Sequence, residues 1–412
     1  MIPQDPSPQA PQPVADQPLA TADPSQQPAL PGEFAPLEIG PLSVWPPVVL
    51  APMAGVTNYP FRSLCREYGA GLYVSEMITA RGYLNDNRLT RLLASSRPDE
   101  NPRSVQIYAS DPVDVGEMTR ELVADGVHHI DMNFGCPVPK VTRTGGGSAI
   151  PVKPKLLARL VRAAVLNAGD VPVTIKVRKG IHDQLLTFME AGRVAEGEGA
   201  KAIGLHGRTA AELYSGQADW DAISSLVQSV KIPVLGNGDI WESWDALRMM
   251  RQTGCQGIIV GRGCLGRPWL FAELADVFEG RAPQPAPDFG TVMDTMVDHA
   301  QRLIEFFGML QGMKQMRKWC SLYTIGFPGS AKARGELVRV SSMQEMIEIL
   351  ERCPRDTPFP ANALRAKRGK GGRRQKVNLP EGYLEDLDDD TPPRSPRSPE
   401  EIAAWERALQ GG

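Results

Sequence analysis

The chain has 412 residues, of which 42% are hydrophobic and 23% charged, and its formal net charge is −3. This is an ordinary globular composition, and no run of about 18 uncharged apolar residues occurs, so a membrane-spanning helix is excluded. The near-neutral balance also excludes a uniformly basic nucleic-acid binder; any such role must rest on local patches.

Residues 1–36 are mostly Pro, Gln, Ala and Ser, with few large apolar side chains. Burial in such a segment cannot offset the entropy of ordering it, so it reads as a disordered tail. It has no basic stretch followed by an apolar run, and no export signal is expected. The cysteines at 65, 136, 255, 264, 320 and 353 form no CxxC pair. Free thiols in a cytoplasmic, reducing compartment are therefore expected, and no metal site.

Across residues 37–287 short apolar runs recur, at 48–54, 71–77, 104–109, 129–134, 171–177, 202–206, 232–237 and 257–261. Amphipathic helical stretches separate most of them, for example 112–125, 155–167, 187–198 and 243–252. Runs such as VPVTIKV are apolar without alternation, as parallel strands covered on both faces should be. Eight such units in about 240 residues match a TIM (β/α)8 barrel, an α/β fold, with a doubly wound open sheet as the alternative. Residues 288–352 show only helical periodicity and read as a separate small all-α domain. Residues 353–412 read as a charged low-complexity tail, basic over 365–376 and acidic over 385–390, with one short helix at 399–410. Such opposed charge blocks are ordinarily solvated polymer.

The unusual residues fall at the C-terminal ends of the apolar runs. In order they are Pro52, Met53 and Ala54; Glu76; Gln106; Asn133 with Cys136; Lys176 with Arg178; His206; Asn237, Gly238 and Asp239; and Gly261 with Arg262. In a barrel these ends converge on the face that carries chemistry. The glycine turns after strands seven and eight lead into helices and suit a phosphate, with Arg262 adding a charge-assisted bond. Gly261 to Gly266 also reads GxGxxG, but its place at an eighth strand favours a phosphate monoester over a dinucleotide. Lys176 is either an ion-pair partner of Glu76 or a cation beside a group that gains negative charge, such as the N1–C2=O edge of a reduced flavin. Gln106 suits the edge of a pyrimidine-like ring, and His206 suits that ring or a phosphate.

Cys136 lies between Gly135 and Pro137. It is either small apolar filler or an acid or nucleophile held over the mouth, and its loop position favours the latter. Lys140, Arg143 and the run Gly145-Gly146-Gly147 read as a mobile basic loop. Between residues 308 and 340, Lys314, Arg317, Lys318, Lys332, Arg334 and Arg339 stand against Glu336 alone. That patch suits nucleic-acid phosphates, with an ordinary solvated helix face as the alternative.

Six segments, LAPMAGVTNYPFR, DMNFGCPVPKV, IKVRKG, LHGRTAAELYSGQADW, GNGDI and GRGCLGRPWLF, resemble in order the signatures of the bacterial tRNA-dihydrouridine synthases, over residues 45–350. TRTGGGSA after Cys136 departs from the family's usual Lys-Lys-Gly-Ala-Gly character. The resemblance implies FMN in the barrel mouth. Pro52, Met53 and Ala54 would line its ring, and Gln106 and Lys176 would bind its polar edge. Asn237, Gly238, Asp239, Gly261 and Arg262 would hold its phosphate, with His206 near phosphate or ring. It further implies NADPH or NADH as transient reductant and tRNA as partner. The C5=C6 bond of selected uridines would be reduced, by hydride from flavin N5 to C6 and a proton from Cys136 to C5. Asn133, Lys140, Arg143, Arg178, Lys314, Arg317, Lys318 and Arg334 are the expected RNA contacts. A monomer with no obligate protein partner and no membrane association is expected. The alternatives are another FMN barrel oxidoreductase, of the dihydroorotate dehydrogenase kind, and a non-catalytic tRNA-binding protein.

Overall fold

The structure is a computed structural model that describes residues 26–369, 372–393, 398, 400 and 401. Eight parallel strands form its centre: β1 (Val48–Leu50), β2 (Leu72–Tyr73), β3 (Ser104–Tyr108), β4 (His129–Phe134), β5 (Val173–Arg178), β6 (Ala202–His206), β7 (Val234–Asn237) and β8 (Gly257–Val260); a ninth, two-residue strand, Ile78–Thr79, pairs parallel with the end of β3. β8 pairs with β1, and a parallel bridge from Val74 to Ser104 links β2 to β3, so the sheet closes on itself. The barrel reading holds and the open-sheet alternative falls. Every residue of β3 is buried, as a strand covered on both faces requires. The predicted run 71–77 yields only a two-residue strand because Ser75 and Glu76 turn off to Ser104 O and Thr57 O.

Helices return the chain along the outside, among them Tyr59–Glu67 after β1, Pro112–Ala124 after β3, Pro154–Ala168 after β4 and Ser243–Thr253 after β7. Their starts follow from capping chemistry. Asn58 accepts from Phe61 N, and Asp111 accepts from Val113 N just before Pro112 at the first helical position. Pro154–Ala168 buries Leu157, Leu160, Val161, Ala164 and Ala168, a stripe at helical spacing facing the barrel.

Four helices follow, Phe289–Phe307, Met309–Tyr323, Ser330–Leu337 and Met343–Leu350, with no strand among them. Their core is continuous with that of the barrel. The Phe61 ring lies 4.4 Å from Trp319, and Arg302 pairs with Glu67 at 2.7 Å. Gly266, at φ +65°, meets the Leu322 backbone so closely that an added Cβ would lie 2.5 Å from its carbonyl carbon. Gly263 is held by Ile240 O in the same way. Two of the three glycines in the GxGxxG run therefore serve packing.

The ends differ from the expected tails. Residues 1–25 lie outside the described residues, but the tail's last part is anchored. Ala29 N donates to Val277 O at 2.8 Å, Glu33 pairs with Arg251, and Phe34 packs edge-on to Phe278. A hairpin, Leu37–Ile39 with Leu42–Val44, then packs Leu37, Ile39 and Val44 against Val49, Leu72, Ala202 and Leu235. At the other end Arg368 is 1% exposed and donates to the carbonyls of Leu265, Leu322 and Ala363. Asp388, Asp389 and Asp390 pair with Lys155, Lys153 and Arg159. Composition missed this because a few anchors fix a polar segment once the fold supplies their partners. The short helix expected at 399–410 lies almost entirely outside the described residues.

Candidate active site

The strand ends converge on one mouth, and the loop after β4 supplies its thiol. Asn133 Oδ1 accepts from the amides of Gly135 and Cys136, at 3.1 and 3.0 Å. This turns the chain back on itself at once and leaves Cys136 half-buried. Ser148 N donates to Cys136 O at 3.0 Å from the returning arm of the loop. The segment expected to be mobile is packed: Gly145, Gly146 and Gly147 are all buried. An added Cβ at Gly147, at φ +55°, would lie 2.6 Å from Cys136 O, and one at Gly146 would collide with the Tyr108 hydroxyl. These glycines let the chain pass beneath Cys136.

A polar cluster stands beside that loop. Asn133 Nδ2 donates to Gln106 Oε1 at 2.8 Å, and Gln106 Nε2 donates to Asp131 Oδ2 at 2.7 Å. Asp131 also accepts from Thr174 Oγ1 at 2.6 Å, and burial raises its carboxyl to about 6. Lys176 forms no pair with Glu76. Its ammonium donates to Asn237 Oδ1 at 2.8 Å, and burial, with Arg178 nearby, lowers it to about 8. Glu76 instead accepts from Gly55 N at 2.8 Å, leaving Oε1 buried without a partner.

The turns after β7 and β8 lie side by side at the mouth, because the two strands are paired. Asn237 spends its amide on Ile259 O and its oxygen on Lys176, so its side chain braces the strands. The Asp239 carboxylate accepts from Arg208 and from Ala218 N, so it too points into the protein. What these turns offer a ligand is backbone: Asp239 N meets no backbone acceptor among the described residues. Gly261 has nothing nearer to an added Cβ than Ala51 at 3.8 Å and Met53 Sδ at 4.0 Å. No packing demands glycine there, and the space opens beside Met53. Pro52 is half-buried and Ala54 exposed on the same loop.

The charge of the mouth is positive. Lys176, Arg178, Arg208 and Arg262 all act on His206, and together with burial they hold it well below its ordinary range, hence neutral. Neither His206 nitrogen meets a partner among the described residues. Asp131 and Asp239 are the carboxylates that act on Lys176 and Arg262. Arg208 is 1% exposed at its side chain, and its Nη1 is buried without a partner. The Arg262 guanidinium lies 4.3 Å from the Tyr214 ring and 3.9 Å from Asp239. This surplus of positive charge fits an anion such as a phosphate.

Sequence reading gave no role to Asp131, Arg208 or Tyr214, though all three stood inside quoted motifs. Leu213 just before Tyr214 sits at φ +53°, a turn that sequence does not advertise. Several expected RNA contacts are spent elsewhere. Arg178 is 5% exposed and donates to the carbonyls of Gly135, Thr209 and Leu213, so it braces the Cys136 loop. Arg317 donates to Val340 O, and Arg334 to Thr324 O and Ser330 Oγ, inside the helical bundle. Asn133 is occupied as above. Lys318 reaches Gly55 O on the β1 loop, tying the bundle to the mouth. Lys314 and Arg143 are exposed and Lys140 is half-buried. Lys332 and Arg339, from the counted patch, are exposed as well.

A closed parallel barrel with a cationic mouth, a loop thiol and an appended helical bundle is the build of a barrel enzyme acting on an anionic substrate or cofactor. The chain belongs to the dihydrouridine synthase family, whose model matches residues 49–358. It is 48% identical over 354 residues to a probable tRNA-dihydrouridine synthase of Mycobacterium tuberculosis, covering 83% of this chain and 91% of that protein. It is 38% identical over 293 residues to tRNA-dihydrouridine synthase B of Pseudomonas aeruginosa, covering 71% of this chain and 88% of that protein. Among solved structures, an old yellow enzyme homologue from Zymomonas mobilis matches with a TM-score of 0.42 at 12% identity, over 61% of this chain and 93% of that one.

Proposed function

We propose that this chain is an oxidoreductase that reduces the C5=C6 bond of uridines in tRNA, with a flavin, FMN, in the barrel mouth and NADPH as reductant. The observation that carries the reading is that one residue, Asn133, bonds both the Cys136 loop and Gln106. The thiol and the ring-edge cluster are thereby held in one register. FMN suits the residues present. The open space at Gly261, the turn of Gly238 and Asp239 and the partnerless Arg208 nitrogen would take its phosphate, helped by Arg262. Gln106, Lys176 and neutral His206 would face its ring, with Pro52, Met53 and Ala54 along it. When bound, the flavin supplies the hydride that adds to C6 of the uracil.

The chain's own residues supply the rest. Charge that develops at C5 and O4 of the base is quenched by a proton delivered to C5 from the Cys136 thiol. Burial raises that thiol above its ordinary value, so it keeps its proton at neutral pH, as an acid must and a nucleophilic cysteine need not. After transfer, Arg178 stands near to balance the thiolate. The uridine must leave its stack to reach the mouth. Exposed Lys314, Lys332 and Arg339 would hold the RNA backbone, and Lys140 and Arg143 would meet it at the thiol's loop. The enzyme would act as a monomer in the cytoplasm.

The test is direct. The purified protein should be yellow, and incubation with NADPH and unmodified tRNA should yield dihydrouridine by nucleoside mass spectrometry. A colourless protein that binds tRNA would identify a binder. A yellow protein that leaves tRNA unchanged and oxidises dihydroorotate would identify the other flavoenzyme.

A further inference from the structure

Residues 372–393 lie beyond the family match and follow the rim of the barrel mouth. We propose that this segment clamps the Cys136 loop and that Gln375 is a positioning residue for the reaction; this deepens the role given to Cys136 above. Gln375 makes three contacts, one to this loop and two to the loop after β6. Gln375 Nε2 donates to Pro137 O at 2.8 Å and to Ala210 O at 3.0 Å, while Gln375 N donates to Ala211 O at 2.8 Å. One amide thus staples the residue after Cys136 to the loop after β6. Two carbonyl acceptors admit only the NH2 end, which fixes the orientation of the side chain.

Further along, the Tyr383 hydroxyl donates to Ala149 O at 3.2 Å and Gly145 O at 3.4 Å, on the returning arm of the same loop. Tyr383 is 8% exposed, and Lys153 lies 4.7 Å from its ring centroid. Gly145, at φ +80°, has Tyr383 and Pro393 so near that an added Cβ would lie 3.1 and 3.0 Å from them. Gly372 is equally close to Leu213 and to Tyr214 N. The segment therefore grips the thiol loop on both arms and touches the turn that carries Tyr214. The ion pairs of Asp388, Asp389 and Asp390 with Lys155, Lys153 and Arg159 fasten its far end.

Loops left to themselves are mobile, and a proton donor displaced by about 1 Å can cost up to a hundredfold in rate. The clamp removes that freedom. Holoenzyme carrying Gln375→Leu or Tyr383→Phe is compared with wild type and with Arg374→Ala, which breaks only an exposed pair with Asp183. The first readout is alkylation of Cys136 by iodoacetamide, followed on the Cys136 peptide by mass spectrometry. It should quicken about tenfold in the two clamp variants, the factor that two lost hydrogen bonds allow, and not in Arg374→Ala. The second is single-turnover reoxidation of the reduced enzyme by tRNA. It should slow by about 10- to 100-fold, with KM for tRNA, flavin content and reduction by NADPH unchanged.

Wild-type alkylation rates in both clamp variants overturn the proposal. Tyr383→Phe removes one hydroxyl and little packing, so it decides the matter should Gln375→Leu fold poorly. Failure of the acid role is seen separately: Cys136→Ala would then keep its tRNA step, while the alkylation result still judges the clamp.

Discussion

The amide of Cys136 donates to Asn133 Oδ1 at 3.0 Å, while the other end of the same Asn133 side chain donates to Gln106. Thiol and ring-edge cluster share a hinge. Asn133→Ala should therefore slow the tRNA-dependent step by up to about a hundredfold, because both groups lose their common reference. Stopped-flow reoxidation by tRNA measures it. Asn133→Asp keeps the acceptor for the two amides and should lose less; equal losses would mean that the loop bonds do not matter.

Cys136→Ala should lower turnover by about 10²–10⁴ while flavin content stays at the wild-type level. Because burial raises the thiol, its alkylation should climb with pH and not level off at neutrality. A plateau below pH 7 would mark a thiolate and remove the acid role.

Lys176 titrates at about 8 in the folded protein, well below the ordinary lysine value of about 10.4. The folded state releases this proton first. Between those values the unfolded chain binds more protons, so the cofactor-free protein gains stability as pH rises through the window. Lys176→Met should abolish that gain and weaken flavin binding below pH 8. Melting temperatures of cofactor-free wild type and variant, taken from pH 7 to 10, give the difference; parallel curves would refute the assignment.

Lys314→Ala, Lys332→Ala and Arg339→Ala should each reduce the salt dependence of tRNA affinity, by about 0.7–0.9 in log–log slope per lost phosphate contact. Arg334→Ala should act through stability instead, since its donors hold Thr324 O and Ser330 Oγ. Filter binding across a salt series, beside thermal melts, separates the two outcomes.

Arg62 and Glu100 form an ion pair with both side chains 2% exposed. Glu100→Ala leaves a buried guanidinium uncompensated and should cost about 3–5 kcal/mol. Urea unfolding checks this, and a loss under 1 kcal/mol would show that water reaches Arg62.

The barrel was legible because strands covered on both faces are largely apolar, as in β8, and because the polar residues of the site break that pattern visibly. The charged residues were less legible. Arg178, Arg317 and Arg334 look like RNA contacts in a sequence, yet each is held by carbonyls that only the fold brings near. Asp131 passed as an ordinary strand residue because its partners, Gln106 and Thr174, come from neighbouring strands. The described part of 353–412 was read as polymer for the same reason: Arg368, Gln375 and Tyr383 are scattered anchors in a polar background, and nothing in their spacing marks them. Removing residues 354–412 entirely would also strip Phe359 from Trp269 and Phe327, so a cut that tests the rim segment must begin at 372.

Gly266 presses backbone against backbone where the helical bundle meets the barrel, leaving no side chain at that point to act as a cushion. Such a seam cannot flex without opening a void. The bundle and the mouth then behave as a fixed jig: the span from the exposed cations of the bundle to the Cys136 loop is set by the fold itself. Selectivity among uridines becomes a question of length and angle, answered by whichever guest can bend to suit.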